Sequence, residues 1–235
     1  MTKAGKRCSS GEQPDHNNDF NVNDLLDEIL ENENKKPWTR KTGRYHPSSL
    51  KPGVCQRLLY YDRTGETPVP NIDPGLRMLF GLGHGAHDLI QNFLQSHEGF
   101  KAEPVAAVDE LNLFGHCDGI FASEDWIIEI KSIGDASFKT LVRPKTEHLW
   151  QAHCYMWALD IPRAQVLYIN RNTGARRCFR TKFDMEIWEQ ISSVLEDTEA
   201  YVERGEEPPR TVSWFSCRSC KFKKPCNPPA QRKKY

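Results

Sequence analysis

The chain has 235 residues with 32 basic and 32 acidic side chains, so its formal charge is zero and attraction to a polyanion must come from segregated rather than excess charge. The length suits one well-packed domain with appendages. No stretch approaches the roughly 20 apolar residues that cross a bilayer, and the polar opening MTKAGKRCSSGEQP has no apolar h-region, which predicts no membrane association and a cytoplasmic protein. In that setting the eight cysteines are expected as reduced thiols, some of them bound to metal, rather than as disulfides.

From Glu12 to Glu33 there are eight acids and no Lys or Arg, whereas Lys35 to Arg44 holds five basic residues and no acid. A segment of this composition buries too little apolar surface to offset its ordering entropy, so residues 1–45 are expected to be a mostly disordered arm. One exception is FNVNDLLDEILENE, where Val22, Leu25, Leu26, Ile29 and Leu30 recur at helical spacing and predict a short acidic amphipathic helix.

Residues 46–228 read as alternating helices and strands, the pattern of an α/β core. Ser48 or Ser49 is placed to cap a helix carrying Cys55, Leu58 and Leu59 and ending near Gly65. Ala86, Leu89, Ile90, Phe93 and Leu94 mark an amphipathic helix that opens near Gly83. Strands follow at about 103–108, 112–122 and 125–132, then a helix over 145–159 and strands near 164–171 and 176–183. Ile187, Ile191, Val194, Leu195, Thr198, Tyr201 and Val202 define a long helix, begun at Asp184 and stopped by Gly205 and the Pro208–Pro209 pair. Beyond Cys217 there are seven basic residues and no acid, ending in a basic tail over 229–235.

Within WIIEIKS, strand alternation puts Glu129 and Lys131 on one face and Ile128 and Ile130 on the other. Asp118 lies eleven residues earlier in another strand candidate, and a hairpin would bring it beside Glu129. Hard carboxylate oxygens suit Mg²⁺ or Mn²⁺, such a metal stabilises charge on a phosphate and activates water, and a lysine can orient the nucleophile. These are the parts of phosphodiester hydrolysis. A lone E-x-K is equally a solvated surface pair, so the weight falls on the order of further motifs.

That order is Gly83-His84-Gly85-Ala86-His87, then Asp118, then Glu129-Ile130-Lys131, then Gln151-Ala152-His153-Cys154-Tyr155. It resembles the RecB-like and Cas4-like branch of the PD-(D/E)XK nucleases, with G-x-x-x-H, Asp, E-x-K and Q-x-x-x-Y in succession. The resemblance implies a restriction-endonuclease-like α/β core, a mixed central sheet flanked by helices. It makes His87, Asp118 and Glu129 metal ligands, with the Ile130 backbone carbonyl as a further one and Lys131 as the catalytic lysine. Gln151 and Tyr155, four residues apart on one helical face, would lie near the DNA strand. His84, His97, His116, His148 and His153 are read as ordinary surface or capping histidines.

Cys217, Cys220 and Cys226 are spaced closely enough for several thiolates to converge on one metal. The same resemblance supplies a fourth ligand far upstream, Cys55, and implies a [4Fe–4S] cluster that staples the two ends of the domain, with Zn²⁺ as the alternative. Cys8, Cys117, Cys154 and Cys178 have no such grouping. The expected activity is that of a DNA exonuclease on single-stranded ends, in a prokaryotic cell or a phage-infected host. The alternative from another class is a noncatalytic, zinc-containing nucleic-acid-binding module. For residues 20–33 three readings stand open: docking on the protein's own basic surface, docking on a replication or recombination partner, or a solvated arm with a transient helix.

Overall fold

A computed structural model describes residues 21–35, 43–68, 72–121, 123, 125–212, 217, 218 and 220–226. Most of the expected arm, including residues 36–42, and the basic tail over 229–235 lie outside the described residues. Inside the arm, α1 spans Val22–Asn32, capped by the Asn21 side chain, which accepts from the Asn23 amide at 2.9 Å. It packs against α3, and the Asn34 amide group ties the chain beyond it to the carbonyl of Ile72 at 3.0 Å. Tyr45 is fully buried, so the core takes in a residue just before the expected boundary at 46.

Helix α2 covers Gln56–Thr64, with Cys55 as its N-cap and Gly65 closing it at φ +80°. It therefore begins later than a Ser48 or Ser49 cap would place it. Pro47–Ser49 form only a single 3₁₀ turn, and Gly53 at φ +69° turns the chain before the helix can start. Helix α3, Pro74–Leu94, starts well before Gly83: Asp73 caps it and Pro74 occupies its first turn. It runs through Gly81, Gly83 and Gly85, because a helix anchored at both ends tolerates the modest cost of internal glycines.

The main sheet has the order β1–β4–β5–β6–β7. Its strands are β1 Phe100–Ala102, β4 Gly119–Phe121, β5 Trp126–Ile133, β6 Arg163–Asn170 and β7 Arg176–Lys182. β1 with β4, β4 with β5 and β6 with β7 are antiparallel, whereas β5 with β6 is parallel. That parallel step needs a crossover, supplied by α4 (Asp135–Lys139) and α5 (Thr146–Leu159). A separate hairpin pairs β2 (Val105–Val108) with β3 (Leu113–His116). The expected strand over 112–122 is thus two strands in two sheets, broken at Cys117 and Asp118.

The two faces of the main sheet carry different helices. Ile127, Tyr168 and Val166 join Phe138, Ala152, Tyr155 and Met156 in the core under α4 and α5, while Ile128, Ile130 and Ile169 pack with Ile90 of α3. A third cluster joins Leu59, Trp150 and Cys154 to Trp188, Ile191 and Leu195 of α6, Met185–Arg204, which Asp184 caps and Gly205 ends. Among the described residues, no helix is long and apolar enough to cross a membrane.

Candidate active site

Helix α3, the entry to β4, β5 and α5 bring the expected residues together where β4 begins. Gly119 pairs with Ile128 as the last rung between β4 and β5, so Asp118 stands just beyond it at the level of Glu129. Glycine at that rung leaves room for the Phe100 ring of β1, which an added Cβ would displace. The Asp118 carboxylate turns back on β5 and accepts the Ile130 amide at 2.6 Å, while its other oxygen lies 3.2 Å from His87 Nδ1. One turn after His87, Gln91 donates to the Asp118 carbonyl at 2.7 Å. Glu129 and Lys131 point together to the α5 face as an ion pair, and Lys131 Nζ donates to Gln151 Oε1 at 2.9 Å. Gln151 in turn donates through Nε2 to the Tyr155 hydroxyl at 3.1 Å. His87 with Asp118, and Glu129 with Lys131, Gln151 and Tyr155, therefore form two polar groups joined through the β5 backbone at Ile130.

Glu129 is the anomalous member. It is fully buried; Lys131 pairs with one carboxylate oxygen, and the other has no hydrogen bond among the described residues. Burial, with the Asp118 charge beside it, pushes its carboxyl well above the usual carboxylate range, and Lys131 only partly pulls it back. At His87, burial works against the charged ring, but the Asp118 hydrogen bond and charge outweigh it and hold the ring above its ordinary value. Burial also pushes the Tyr155 hydroxyl far up, so it is a neutral group. Two carboxylates this close, one of them buried with an oxygen left unsatisfied, repel each other beyond what Lys131 offsets, and a divalent ion with hard oxygen ligands would relieve that.

The cysteines meet elsewhere. Cys55, Cys217, Cys220 and Cys226 line one cleft of about 970 Å³, together with Arg57, Tyr61 and Phe222. Burial and the neighbouring thiols raise the thiol of Cys220, and those of Cys55 and Cys226 do the same at Cys217. The Cys55 side chain makes no capping bond, which leaves its sulfur for the cleft. The C-terminal segment is tied to the domain by polar side chains. Lys221 reaches Asp62 at 2.5 Å, Arg210 Nε donates to Cys226 Sγ at 3.4 Å, and the Phe222 ring packs 5.4 Å from Tyr61. Thiols gathered in one cleft suit a cationic centre, which would hold them as thiolates. Among the described residues, however, neither these thiols nor His87, Asp118 and Glu129 are drawn into a closed ligand shell.

Two histidines depart from the surface role expected of them. His153 is fully buried, bonded to the Leu149 carbonyl at 2.7 Å, and its Nε2 accepts the Asp184 amide at 3.2 Å at the start of α6. His148 is paired with the Tyr168 hydroxyl at 2.7 Å. Gln91 was not singled out from the sequence, although it follows His87 by four residues on α3 and so shares its face. His84, by contrast, is exposed, and Cys117 and Cys154 are buried in the core, as expected.

Taken together, fold and site define a mixed α/β protein with a central sheet flanked by helices and a buried carboxylate–lysine cluster where β4 begins. No protein-family model matches the chain, and no curated protein does. Among solved structures, the fold is similar to that of SSO0001, with a TM-score of 0.54 and 17% identity over 86% of this chain and 95% of that one. Two others align at lower scores. An alkaline exonuclease from Laribacter hongkongensis gives a TM-score of 0.47 and 16% identity over 75% of this chain and 95% of its own. A phage-related exonuclease from Haemophilus somnus 129PT gives 0.48 and 14% over 63% and 79%.

Proposed function

We propose that the chain is a metal-dependent DNA nuclease of the PD-(D/E)XK kind, acting as an exonuclease on single-stranded ends. The observation that carries this reading is Glu129: a fully buried carboxylate beside the Asp118 charge, with Lys131 on one oxygen and no hydrogen bond to the other among the described residues. Asp118, Glu129 and His87 would hold Mg²⁺ or Mn²⁺. Ile130 is a further donor, because a strand residue's N–H and C=O open to the same edge, and its N–H already faces Asp118. Bound there, the ion would supply Lewis acidity to the phosphate and acidity to a water.

The protein's own groups do the rest. Lys131, held between Glu129 and Gln151, directs its remaining N–H toward the attacking water and the phosphate oxygens. Gln151 and Tyr155 fix the lysine's direction, and Gln91 fixes the backbone of Asp118. In the second part of the proposal, Cys55, Cys217, Cys220 and Cys226 hold a [4Fe–4S] cluster that joins α2 to the C-terminal segment. What supports it is the meeting of one distant and three local thiols in one cleft. The basic residues around that segment would then have a fixed base from which to meet phosphates.

The test is digestion of 5′- and 3′-labelled single and double strands with Mn²⁺, Mg²⁺ or EDTA, alongside iron, sulfide and zinc analysis. The reading expects metal-dependent shortening from single-stranded ends and a brown protein with acid-labile sulfide. Colourless, zinc-containing protein that binds DNA without cutting it in Mn²⁺ would instead identify a binding module.

A further inference from the structure

His148 takes no part in the metal site, yet it lies three residues before Gln151 and seven before Tyr155 on α5, on the same helical face. Its Nδ1 is 2.7 Å from the Tyr168 hydroxyl, and that hydroxyl already accepts the Lys145 backbone N–H at 2.9 Å. A phenolic oxygen that accepts from an amide keeps its own proton to donate, and Nδ1 lies in its path. That arrangement favours the neutral tautomer with Nδ1 as acceptor and Nε2 as the N–H donor.

The surroundings reinforce this state. Burial first, and then the ammonium groups of Lys131 and Lys145, push the His148 pKa down to about 3. Two carboxylates act on the adjoining Tyr168 hydroxyl, Glu147 and Glu129, and the second of these is engaged by Lys131. The ring itself thus sits in the field of two cations and presents a single N–H. An imidazole that served only as a core residue would have both nitrogens engaged, as His153 does through Leu149 and Asp184. A neutral N–H beside two ammonium groups is a donor set for an anionic oxygen, and the anion that a nuclease site receives is the phosphate backbone.

We propose that His148, with Lys145, forms a binding subsite for a phosphate next to the scissile one, the imidazole donating its Nε2 proton to a non-bridging oxygen. The proposal rests on the nuclease reading, and it makes His148 a substrate-binding residue rather than a metal ligand or a base. Tyr168 is the positioning residue that selects the tautomer.

The experiment combines kinetics with a spectroscopic readout. On a short single strand in Mn²⁺, His148→Ala should raise KM about tenfold, the loss of one hydrogen bond to a charged group, with kcat within about twofold. A single methylphosphonate at the neighbouring linkage should weaken the wild type to the same extent and have no further effect on His148→Ala. Unchanged KM in His148→Ala, beside an inactive Glu129→Ala, would overturn the subsite and leave the nuclease standing. Should the wild type fail to cut in Mn²⁺, the nuclease reading fails, and should Glu129→Ala cut normally, the active site proposed around it fails. Nitrogen-15 NMR of the wild-type imidazoles, with and without a single-stranded oligonucleotide in EDTA, covers the case in which His148→Ala misfolds. His148 should show a protonated Nε2 across about pH 5 to 8, with an Nε2 shift on adding DNA. An Nδ1-protonated ring, or one indifferent to DNA, would contradict the proposal.

Discussion

Glu129 and Lys131 stand in the middle of an eight-residue strand that is paired with β6 from Ile127 to Ile133, whereas Cys220 and Cys226 lie in a turn and a four-residue helix. The first pair is aimed by a backbone ladder, and its neighbours come from a 21-residue and a 14-residue helix. The cysteines are aimed instead by side-chain ties to α2, above all Lys221 to Asp62 and Phe222 to Tyr61. A site held by strands and long helices is formed before its ligand arrives, while a site held by a few side chains depends on its ligand for its shape. Metal should therefore mean chemistry at one end of the molecule and folding at the other.

The largest expected effect breaks the preformed end. Asp118→Ala or Lys131→Ala should lower the cleavage rate by at least about a hundredfold, with single-strand affinity within a few-fold of wild type, since binding is mostly phosphate electrostatics. Gel-shift titration beside single-turnover digestion checks both halves, and near-normal turnover in either variant removes that residue from the mechanism. Next comes the cysteine cleft. Cys55→Ala should lose iron as fully as Cys220→Ala and melt lower by roughly 5–15 °C, each kcal/mol being worth about 2–4 °C in a chain of this size. EDTA at a concentration that stops cleavage should leave the melting temperature nearly unchanged. If EDTA lowers melting as far as Cys55→Ala does, the two ends do not differ in the way described.

A smaller effect tests the ties themselves. Asp62 is almost fully buried, with one carboxylate oxygen paired to Lys221 and the other without a hydrogen bond, so Lys221→Ala strands a buried charge and should cost about 3 kcal/mol. Adding Asp62→Leu to Lys221→Met should recover most of that loss, measured by urea denaturation. The smallest concerns α3, where a Cβ added at Gly81 meets nothing within 4 Å. Gly81→Ala should stabilise the protein by about 0.5–1 kcal/mol without changing cleavage, since the position is helical and open. A loss of stability there would mean that the segment before His87 is not helical.

The carboxylate site was legible because its signals are periodic and local: E-x-K on an alternating strand, Q-x-x-x-Y on a helix, Asp184 and Gly205 bracketing α6. The start of α3 was not, because Gly81, Gly83 and Gly85 look like loop residues while the Asp73–Pro74 cap lies eight residues upstream of the first of them. Nor does alternation mark the break at Cys117 and Asp118, since two short strands in different sheets keep one in-out pattern. His148 and Lys221 escaped for a different reason. Their partners, Tyr168 and Asp62, are 20 and 159 residues away, and no local pattern announces a partner that only the fold brings near. The N-terminal helix shows both limits: its stripe predicts α1, but only packing shows that it lies on α3.

The central claim is that the buried Glu129 carboxylate is built to meet a divalent cation. Anomalous diffraction at the manganese edge, from crystals of the wild-type chain and of Glu129→Ala grown with Mn²⁺, tests it most directly. The account predicts a peak in the wild type within about 2.0–2.6 Å of both the Asp118 and the Glu129 carboxylates, a distance set by oxygen ligation of such ions, and none in the variant. A wild-type site without manganese, or a peak of equal height in Glu129→Ala, would contradict it.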